Sequence, residues 1–226
     1  MMNKSLVTLT IGQTPRSDIM PLLLEHLPED QIDHAGLLDG LSAEQVAEHY
    51  AAAPGEKVLV SRLQDGSQVR LSSARVEMGL QAKLLELEEA GYENILLLCT
   101  REFGRLQTQK AVLLEPDRII PPLVAAIVSD NQVGIVVAVE EQIRQQINKW
   151  RNLSKTPCFA VASPYLADDE KLVDAALSLQ EQGADVVVLD CIGYHQRHRD
   201  FLQKLLGIPV LLSNVLVAKL AAELIV

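Results

Sequence analysis

The chain contains the stretch Asp185-Val-Val-Val-Leu-Asp-Cys-Ile-Gly-Tyr-His-Gln-Arg-His-Arg199, whose pattern predicts a strand, a turn and a helix in succession. The apolar, β-branched run from 186 to 189 is typical of a strand buried in a parallel sheet. Gly193 permits a tight turn, and a polar helix is predicted from there to about Leu206. Cys191 is therefore expected at the carboxyl end of a strand, where open α/β sheets bind ligands.

Cations crowd the first turn of this predicted helix: His195, Arg197, His198 and Arg199. A helix N-terminus favours acids, and the chain as a whole is acidic, with a formal charge of −10 over 226 residues. A local rule broken in this way indicates either a bound anion or a solvated basic turn. The sequence leaves both interpretations open.

The same design recurs upstream, where the apolar strand 94–98 ends at Cys99-Thr100-Arg101. Strands and helices alternate along most of the chain, which predicts an α/β fold with mainly parallel strands and flanking helices. A β-hairpin around Asp65-Gly66 is expected as an insertion near 57–71. We expect two lobes, 1–120 completed by a C-terminal helix at 214–226, and 121–213, with a site in the cleft between them.

Some segments carry weaker patterns. Residues 30–40 are predicted as a loop, and 113–120 as irregular or extended chain. Pro121-Pro122 is expected to start a helix at about 123–129, because proline suits a first helical turn. A helix is also predicted at 168–182, closed by Gly183.

Composition excludes several classes of function. The negative charge argues against nucleic acid as a partner, and no apolar run reaches the roughly eighteen residues of a membrane span. The start of the chain does not resemble a signal peptide. The three cysteines, an odd number, have no metal-ligand spacing, which points to reduced thiols in the cytoplasm. No phosphate-binding glycine loop is present, and we expect neither a cofactor nor a metal.

The cysteines allow several interpretations. Cys158 follows Pro157 at a strand start and is predicted to be a core residue. Cys99 and Cys191 are either core residues too, or a thiol–thiolate pair that acts as acid and base on the two faces of one carbon. Two further alternatives remain open: His195 or His198 could activate Cys191 as a nucleophile, and the two cysteines could form a redox disulfide.

A first loop, Gly12-Gln-Thr-Pro-Arg16, follows the strand predicted at 6–11. Loops that follow parallel strands gather at one edge of the sheet. We therefore expect Arg16 and at least one other arginine to converge on an anionic ligand, most simply a carboxylate held in bidentate fashion. The alternative is that each arginine pairs with a nearby acid such as Asp18, Glu102 or Asp200.

Four segments together resemble the AroM family: 10–16, 113–122, 189–199 and 209–215. That family is placed near the aspartate/glutamate racemase-like superfamily. The resemblance implies two α/β lobes with the active site between them and a cofactor-independent enzyme that uses one cysteine from each lobe. Carried over by position, Cys99-Thr100 resembles the first catalytic cysteine motif and Cys191 the second, and Gly12 falls in the first substrate-binding loop.

From these observations we expect a racemase, isomerase or related lyase that acts α to the carboxylate of a small acid or amino acid. A non-catalytic carboxylate-binding or regulatory protein on the same fold is the alternative. The expected partner is a small anion, and a homo-oligomer is left open. Cys99 and Cys191 are the predicted catalytic residues. The predicted substrate-binding residues are Gly12, Gln13, Thr14, Arg16, Thr100, Arg101, Gly193, His195 and Arg197.

Overall fold

A computed structural model describes residues 5–104, 106–166 and 169–225. The chain divides into two units, and the boundaries follow Glu115 and Ala218. The first unit runs up to Glu115 and resumes at Lys219, whereas the second unit is the continuous segment Pro116–Ala218. Each unit contains its own four-stranded parallel sheet.

The first unit is built on a sheet with the strand order β2-β1-β5-β6. Every position of β1 and β5 is buried, as expected for parallel strands covered on both faces. The elements of this unit are β1 (Leu6–Thr10), α1 (Met20–Leu24), β2 (Ile32–Gly36), α2 (Ala43–Tyr50), β3 (Val58–Arg62), β4 (Gln68–Ser72), α3 (Ser73–Glu89), β5 (Asn94–Leu98) and β6 (Val112–Leu114).

The second unit repeats the design with the strand order β10-β9-β7-β8, in which β7 and β9 are fully buried. Its last helix runs across the boundary at Ala218 into the first unit. The elements are α4 (Pro116–Val128), β7 (Val133–Val137), α5 (Ile143–Lys149), β8 (Cys158–Val161), α6 (Asp169–Glu181), β9 (Val186–Leu189), α7 (Gln196–Leu206), β10 (Val210–Leu212) and α8 (Ser213–Ala222).

The two sheets share one topology. If the hairpin β3–β4 is set aside, the strands of the first sheet have the order second-first-third-fourth along the chain. Read from β8 to β10, the second sheet has the same order. The equivalent third strands are therefore β5 and β9. In such a sheet the crossovers diverge between the first and third strands, and ligands bind at that point.

The hairpin prediction is confirmed: β3 and β4 pair antiparallel, with Val58 opposite Ser72 and Arg62 opposite Gln68. The mainly parallel α/β class is confirmed as well. Helix α3 buries Val76, Leu80 and Leu84 at helical spacing against the core of the first unit. Helix α6 lies where the pattern predicted it, and residue 168, the first of the predicted range, is outside the described residues.

Two local predictions are wrong. Residues 32–36 form a strand rather than a loop: this edge strand is polar and only half-buried, so it lacks an apolar signature, but it pairs with β1 from Leu6↔Ile32 to Thr10↔Gly36. Helix α4 begins at Pro116 and contains Pro121 and Pro122 instead of starting after them. Its buried face, Ile120, Val124 and Val128, recurs at helical spacing and holds the helix together despite the two missing N–H donors.

Within the described ranges, no helix combines the length and the apolarity that crossing a membrane requires.

Candidate active site

The carboxyl edge of the first sheet brings two of the predicted loops together. Strands β1 and β5 are neighbours, with Thr10 opposite Leu98. The loop 11–16 and the loop 99–101 therefore leave the sheet side by side, between the first and third strands of the topology. This is the position at which a ligand is expected.

The loop after β1 is held from within its own unit. The N–H group of Gly12 donates to Thr10 Oγ1 at 3.3 Å, and the N–H group of Gln13 donates to the Arg62 carbonyl at 3.3 Å. The side-chain amide of Gln13 donates to the carbonyls of Leu38 and Leu41 at 3.1 and 2.8 Å. These groups fix the loop against the segment after β2 and against the hairpin.

Thr14 is tied to Asp39 by two hydrogen bonds. Its N–H group donates to Oδ1 at 2.7 Å, and its hydroxyl donates to Oδ2 at 2.9 Å. The same Oδ2 also accepts from the N–H group of Gly36 at 2.7 Å. Asp39 thus joins the loops that follow β1 and β2.

Gly12 is required by a close approach of the hairpin. A Cβ atom at this position would lie 2.5 Å from both the Arg62 carbonyl oxygen and Ser61 Oγ, closer than real Cβ atoms come to other atoms. The absence of a side chain therefore lets β3 pack directly on the loop. The predicted insertion contacts the candidate site through its backbone.

Arg16 forms a buried ion pair within its own loop. Its Nε and Nη2 donate to Asp18 Oδ1 and Oδ2 at 2.8 and 2.7 Å, and Nη1 donates to Thr10 Oγ1 at 3.2 Å. Only 4% of its surface is exposed. Burial alone would raise the pKa of Asp18, but the hydrogen bonds and charge of Arg16 outweigh it and hold that pKa below its ordinary value. Of the two arrangements expected for this arginine, the structure thus has the one in which it pairs with a nearby acid. Direct binding of a ligand by this guanidinium would require the ion pair to open.

The loop after β5 differs, because it contains a polar group without a hydrogen-bond partner. Cys99 and Thr100 are buried directly after the strand, and Cys99 belongs to the hydrophobic cluster of the first unit. Arg101 is half-buried, and its Nε atom is fully covered yet makes no hydrogen bond to any described residue. A covered N–H group of this kind is costly, which makes Arg101 the better-placed cation for an anion at this edge.

In the second unit, charged groups are buried at the end of β9. Lys149, the last residue of α5, donates to Asp190 Oδ2 at 2.7 Å, and the two side chains are 3% and 0% exposed. Asp117 lies 3.6 Å from the same ammonium group, and Ser213 Oγ donates to Asp190 Oδ1 at 3.4 Å. Separation of a buried pair leaves an uncompensated charge, which is costly. The cluster therefore holds Asp190, the residue that directly precedes Cys191, in place.

Cys191 is half-buried, and a tyrosine from another loop reaches it. Tyr165 Oη lies 3.6 Å from Cys191 Sγ. The ring of Tyr165 packs on Gly193, where an added Cβ atom would lie 2.6 Å from Cε1. The positive-φ glycines of the described chain do not include Gly193, so this glycine provides space and does not relieve backbone strain.

Buried hydrogen bonds support the loop that carries Cys191. The hydroxyl of Tyr194 donates to the Ala162 carbonyl at 2.6 Å, and the side-chain amide of Asn214 donates to the carbonyls of Ile192 and Tyr194 at 2.9 and 2.6 Å. Burial, followed by the charges of Cys191 and Asp190, raises the pKa of Tyr194 well above its ordinary value. Tyr194 therefore remains a neutral donor.

The cationic turn is less charged than its sequence indicates. His195 and His198 form a reciprocal cap at the start of α7, in which His198 Nδ1 accepts from the His195 N–H group at 2.8 Å. Burial, followed by the charges of His195 and Arg197, lowers the pKa of His198 to about 4. Arg197 and Arg199 lie near Asp169 and Asp200 at 3.5 and 2.8 Å.

Several site residues carried no usable signal in the sequence. Tyr165 and Lys149 reach the end of β9 from 26 and 41 residues away along the chain, and only the strand order places them there. Asp39 looked like an ordinary loop acid. Among the described residues, no group of three or more His, Cys, Asp or Glu side chains could hold a metal ion.

The fold is that of known racemases and isomerases. A glutamate racemase from Francisella tularensis is similar with a TM-score of 0.61 and 13% identity, over 98% of this chain and 81% of the other. A maleate cis-trans isomerase from Nocardia farcinica has a TM-score of 0.61 and 14% identity, over 97% and 91%. An allantoin racemase from Klebsiella pneumoniae has a TM-score of 0.58 and 13% identity, over 96% and 86%.

No curated protein matches the chain. The family model described as "AroM protein" matches residues 6–225. Its match spans both parallel sheets and both loops that carry Cys99 and Cys191, and we conclude that the chain belongs to the AroM family.

Proposed function

We propose that the protein is an enzyme that transfers a proton at the carbon α to the carboxylate of a small acid or amino acid, as a racemase, isomerase or related lyase. One observation carries the proposal: Cys99 directly follows β5 and Cys191 is the second residue after β9, and these are the equivalent third strands of two sheets with the same topology. Residues at such strand ends contact ligands in open α/β sheets. The racemases and isomerase with this fold support the reaction class.

In the proposed reaction, one cysteine starts as a thiolate and the other as a thiol. The thiolate removes the α proton and becomes a thiol, and the electron pair of the broken C–H bond moves toward the carboxylate. The other thiol then returns a proton to that carbon and becomes a thiolate. One proton leaves the substrate and one arrives, so the step balances without an oxidant or a cofactor, and we propose that the enzyme uses none. The three cysteines form no disulfide, which is consistent with a reducing compartment such as the cytoplasm.

The substrate carboxylate is proposed to bind at the loop after β5. Arg101 supplies a covered N–H group that has no hydrogen-bond partner among the described residues, and Thr100 lies beside it. Gly12, Gln13, Thr14 and Arg16 then shape the neighbouring loop rather than supply its charge, since their polar groups are bonded within the first unit.

Hydrogen–deuterium exchange at the α carbon tests this function. A panel of small amino and hydroxy acids is incubated with the protein in deuterated water, and loss of the α-proton signal is followed by NMR. We expect exchange with at least one acid, and a loss of about 10²–10⁴-fold in the rate for Cys99→Ala and for Cys191→Ala, the range of general acid–base catalysis. Cys158→Ala is the matched control and should retain the rate. That thiol lies at the start of β8, away from the carboxyl ends of the strands, and donates to the Val133 carbonyl.

Exchange that survives both cysteine substitutions would contradict the proposed roles. Neither exchange nor consumption of any acid by the unaltered protein would contradict the proposed activity itself.

A second function is favoured by the burial of Cys99, which is 5% exposed and packs in the hydrophobic cluster of its unit. A thiol buried in this way also suits a core residue, and the protein would then bind a small carboxylate without turnover. In that case a carboxylate raises Tm equally in the unaltered protein, in Cys99→Ala and in Cys191→Ala, and no acid exchanges its α proton.

A further inference from the structure

The loops that follow β8 and β9 are joined by two tyrosines, one from each loop. Strand β7 lies between these two strands in the sheet, so the loops meet across its carboxyl end. Tyr194 from the β9 loop donates to the Ala162 carbonyl at the end of β8. Tyr165 from the β8 loop reaches back to Cys191 at 3.6 Å. The contact between Tyr165 and Cys191 is therefore supported by a second hydrogen bond between the same two loops.

The position of the Tyr165 ring is determined on two sides. On one side, the missing side chain of Gly193 leaves room for it: an added Cβ atom would lie 2.6 to 2.8 Å from Cε1, Cζ and Oη. On the other side, the N–H group of Tyr165 donates to Ser163 Oγ at 3.3 Å and orients the turn that carries the ring. The missing side chain of Gly193 thus makes room for the tyrosine ring. This explains a glycine at a position where the backbone angles do not require one.

We propose that Tyr165 stabilises the thiolate form of Cys191, by donating a hydrogen bond from its hydroxyl to the Cys191 sulfur. The assignment deepens the proposed function, on which its catalytic meaning rests. A tyrosine hydroxyl is both donor and acceptor, so it accepts from the thiol and donates to the thiolate at the same separation. The bond to the thiolate is the stronger of the two because it is assisted by charge.

Two polar groups beside Cys191 make hydrogen bonds elsewhere. The carboxyl group of Asp190 accepts hydrogen bonds from Lys149 and Ser213. The hydroxyl of Tyr194 is directed to the Ala162 carbonyl. Tyr165 instead places its hydroxyl 3.6 Å from Cys191 Sγ.

Alkylation of Cys191 by iodoacetamide as a function of pH tests the proposal in the intact chain. The Cys191 peptide is quantified by mass spectrometry, so the two other cysteines do not interfere and no substrate is needed. Tyr165→Phe removes only the hydroxyl, and we expect the pH midpoint of alkylation to rise by about 0.5–1 unit, which leaves roughly three- to tenfold less thiolate below the midpoint. Gly193→Ala, which displaces the ring, should shift the midpoint in the same direction.

Tyr92→Phe is the matched control, since that hydroxyl donates to Asp33 in the first unit at 2.6 Å, and its midpoint should equal that of the unaltered protein. The double variant Tyr165→Phe/Gly193→Ala should shift no further than Tyr165→Phe alone. Unchanged midpoints in both single variants overturn the assignment, and so does an equal shift in Tyr92→Phe. Because the readout is thiol reactivity, loss of the proposed α-proton exchange activity would leave this result standing.

Discussion

His198 makes the stability of the fold depend on pH through a single buried side chain. Its pKa in the folded protein is about 4, against 6.5 for an ordinary histidine. Between these two values the unfolded chain binds more protons than the folded chain. The free energy of unfolding is therefore at its full value above pH 6.5 and falls as the pH drops toward 4.

We expect His198→Asn to flatten this dependence. Asparagine can place an acceptor where His198 Nδ1 receives the N–H group of His195, but it does not titrate in this range. The histidine contributes at most about 3 kcal/mol to the difference in stability between pH 7 and pH 4. Urea unfolding at several pH values measures the change, with the exposed His49→Asn as the control. If His198→Asn retains the slope of the unaltered protein, another group is responsible for the pH dependence.

At the residue scale, the sequence predicted positions better than partners. The apolar runs before Cys99 and Cys191 were enough to place both thiols at strand ends, because burial and strand length are local properties. The pairing of Arg16 with Asp18 was one of two alternatives that the sequence left open, because only side-chain geometry decides between an acid of the same loop and a ligand. The contact of Tyr165 with Cys191 depends on strand order, which the pattern of a single segment does not encode.

Among the helices and strands, too, local signals were predictable from the sequence and long-range pairing was not. The hairpin was predictable because Asp65-Gly66 is a turn signal between two alternating segments. Strand β2 was not, because an edge strand with the sequence Ile-Asp-His-Ala-Gly is stabilised by its ladder to β1 rather than by its own composition. Helix α4 was mispredicted because a local proline rule outweighed the spacing of Ile120, Val124 and Val128.

The loops after β1 and β5 are expected to respond in opposite ways to loss of their arginine. Arg16→Lys loses the bidentate contact with Asp18, so it should lower the free energy of unfolding by about 1–3 kcal/mol and change ligand binding little. Arg101→Gln should leave stability nearly unchanged and abolish the rise in Tm that we expect from a bound small carboxylate, with succinate and L-glutamate as the probes. Urea unfolding and thermal shift measure the two effects.

Arg199→Gln is the control for this comparison, because that side chain pairs with the exposed Asp200. It should alter neither property. A carboxylate response that persists in Arg101→Gln and disappears in Arg16→Lys would move the anion site to the loop after β1.

At the scale of the whole molecule, the first unit is discontinuous. It runs up to Glu115 and is completed by the chain from Lys219 onward, whereas Pro116–Ala218 is continuous. Ala221 is fully buried, and the Asn94 side-chain amide, which donates to the Ser5 carbonyl at 2.9 Å, also donates to the Leu224 carbonyl at 3.5 Å. The C-terminal segment therefore supports the strand that precedes Cys99.

Removal of residues 219–226 should loosen the first unit before the second. We expect the amides of β1 and β5 to lose hydrogen-exchange protection, while those of β7 and β9 keep most of theirs, because the second unit keeps its continuous segment. Leu220→Ala, a change at an exposed position of the same helix, is the control and should leave the pattern intact. Equal loss of protection in both sheets would show that the two units unfold as one.

The discontinuity also sets an order for folding during synthesis. A ribosome releases the N-terminal strands first, yet the residues that complete their unit emerge only after every residue of the continuous unit. The sheet that carries Cys191 can thus assemble first. The strands that lead to Cys99 stay partly covered until the end of α8, from Lys219 onward, has been synthesised. A chain that stopped after Ala218 would hold one complete unit and one incomplete unit, and the apolar surface exposed on the incomplete unit would mark it for degradation.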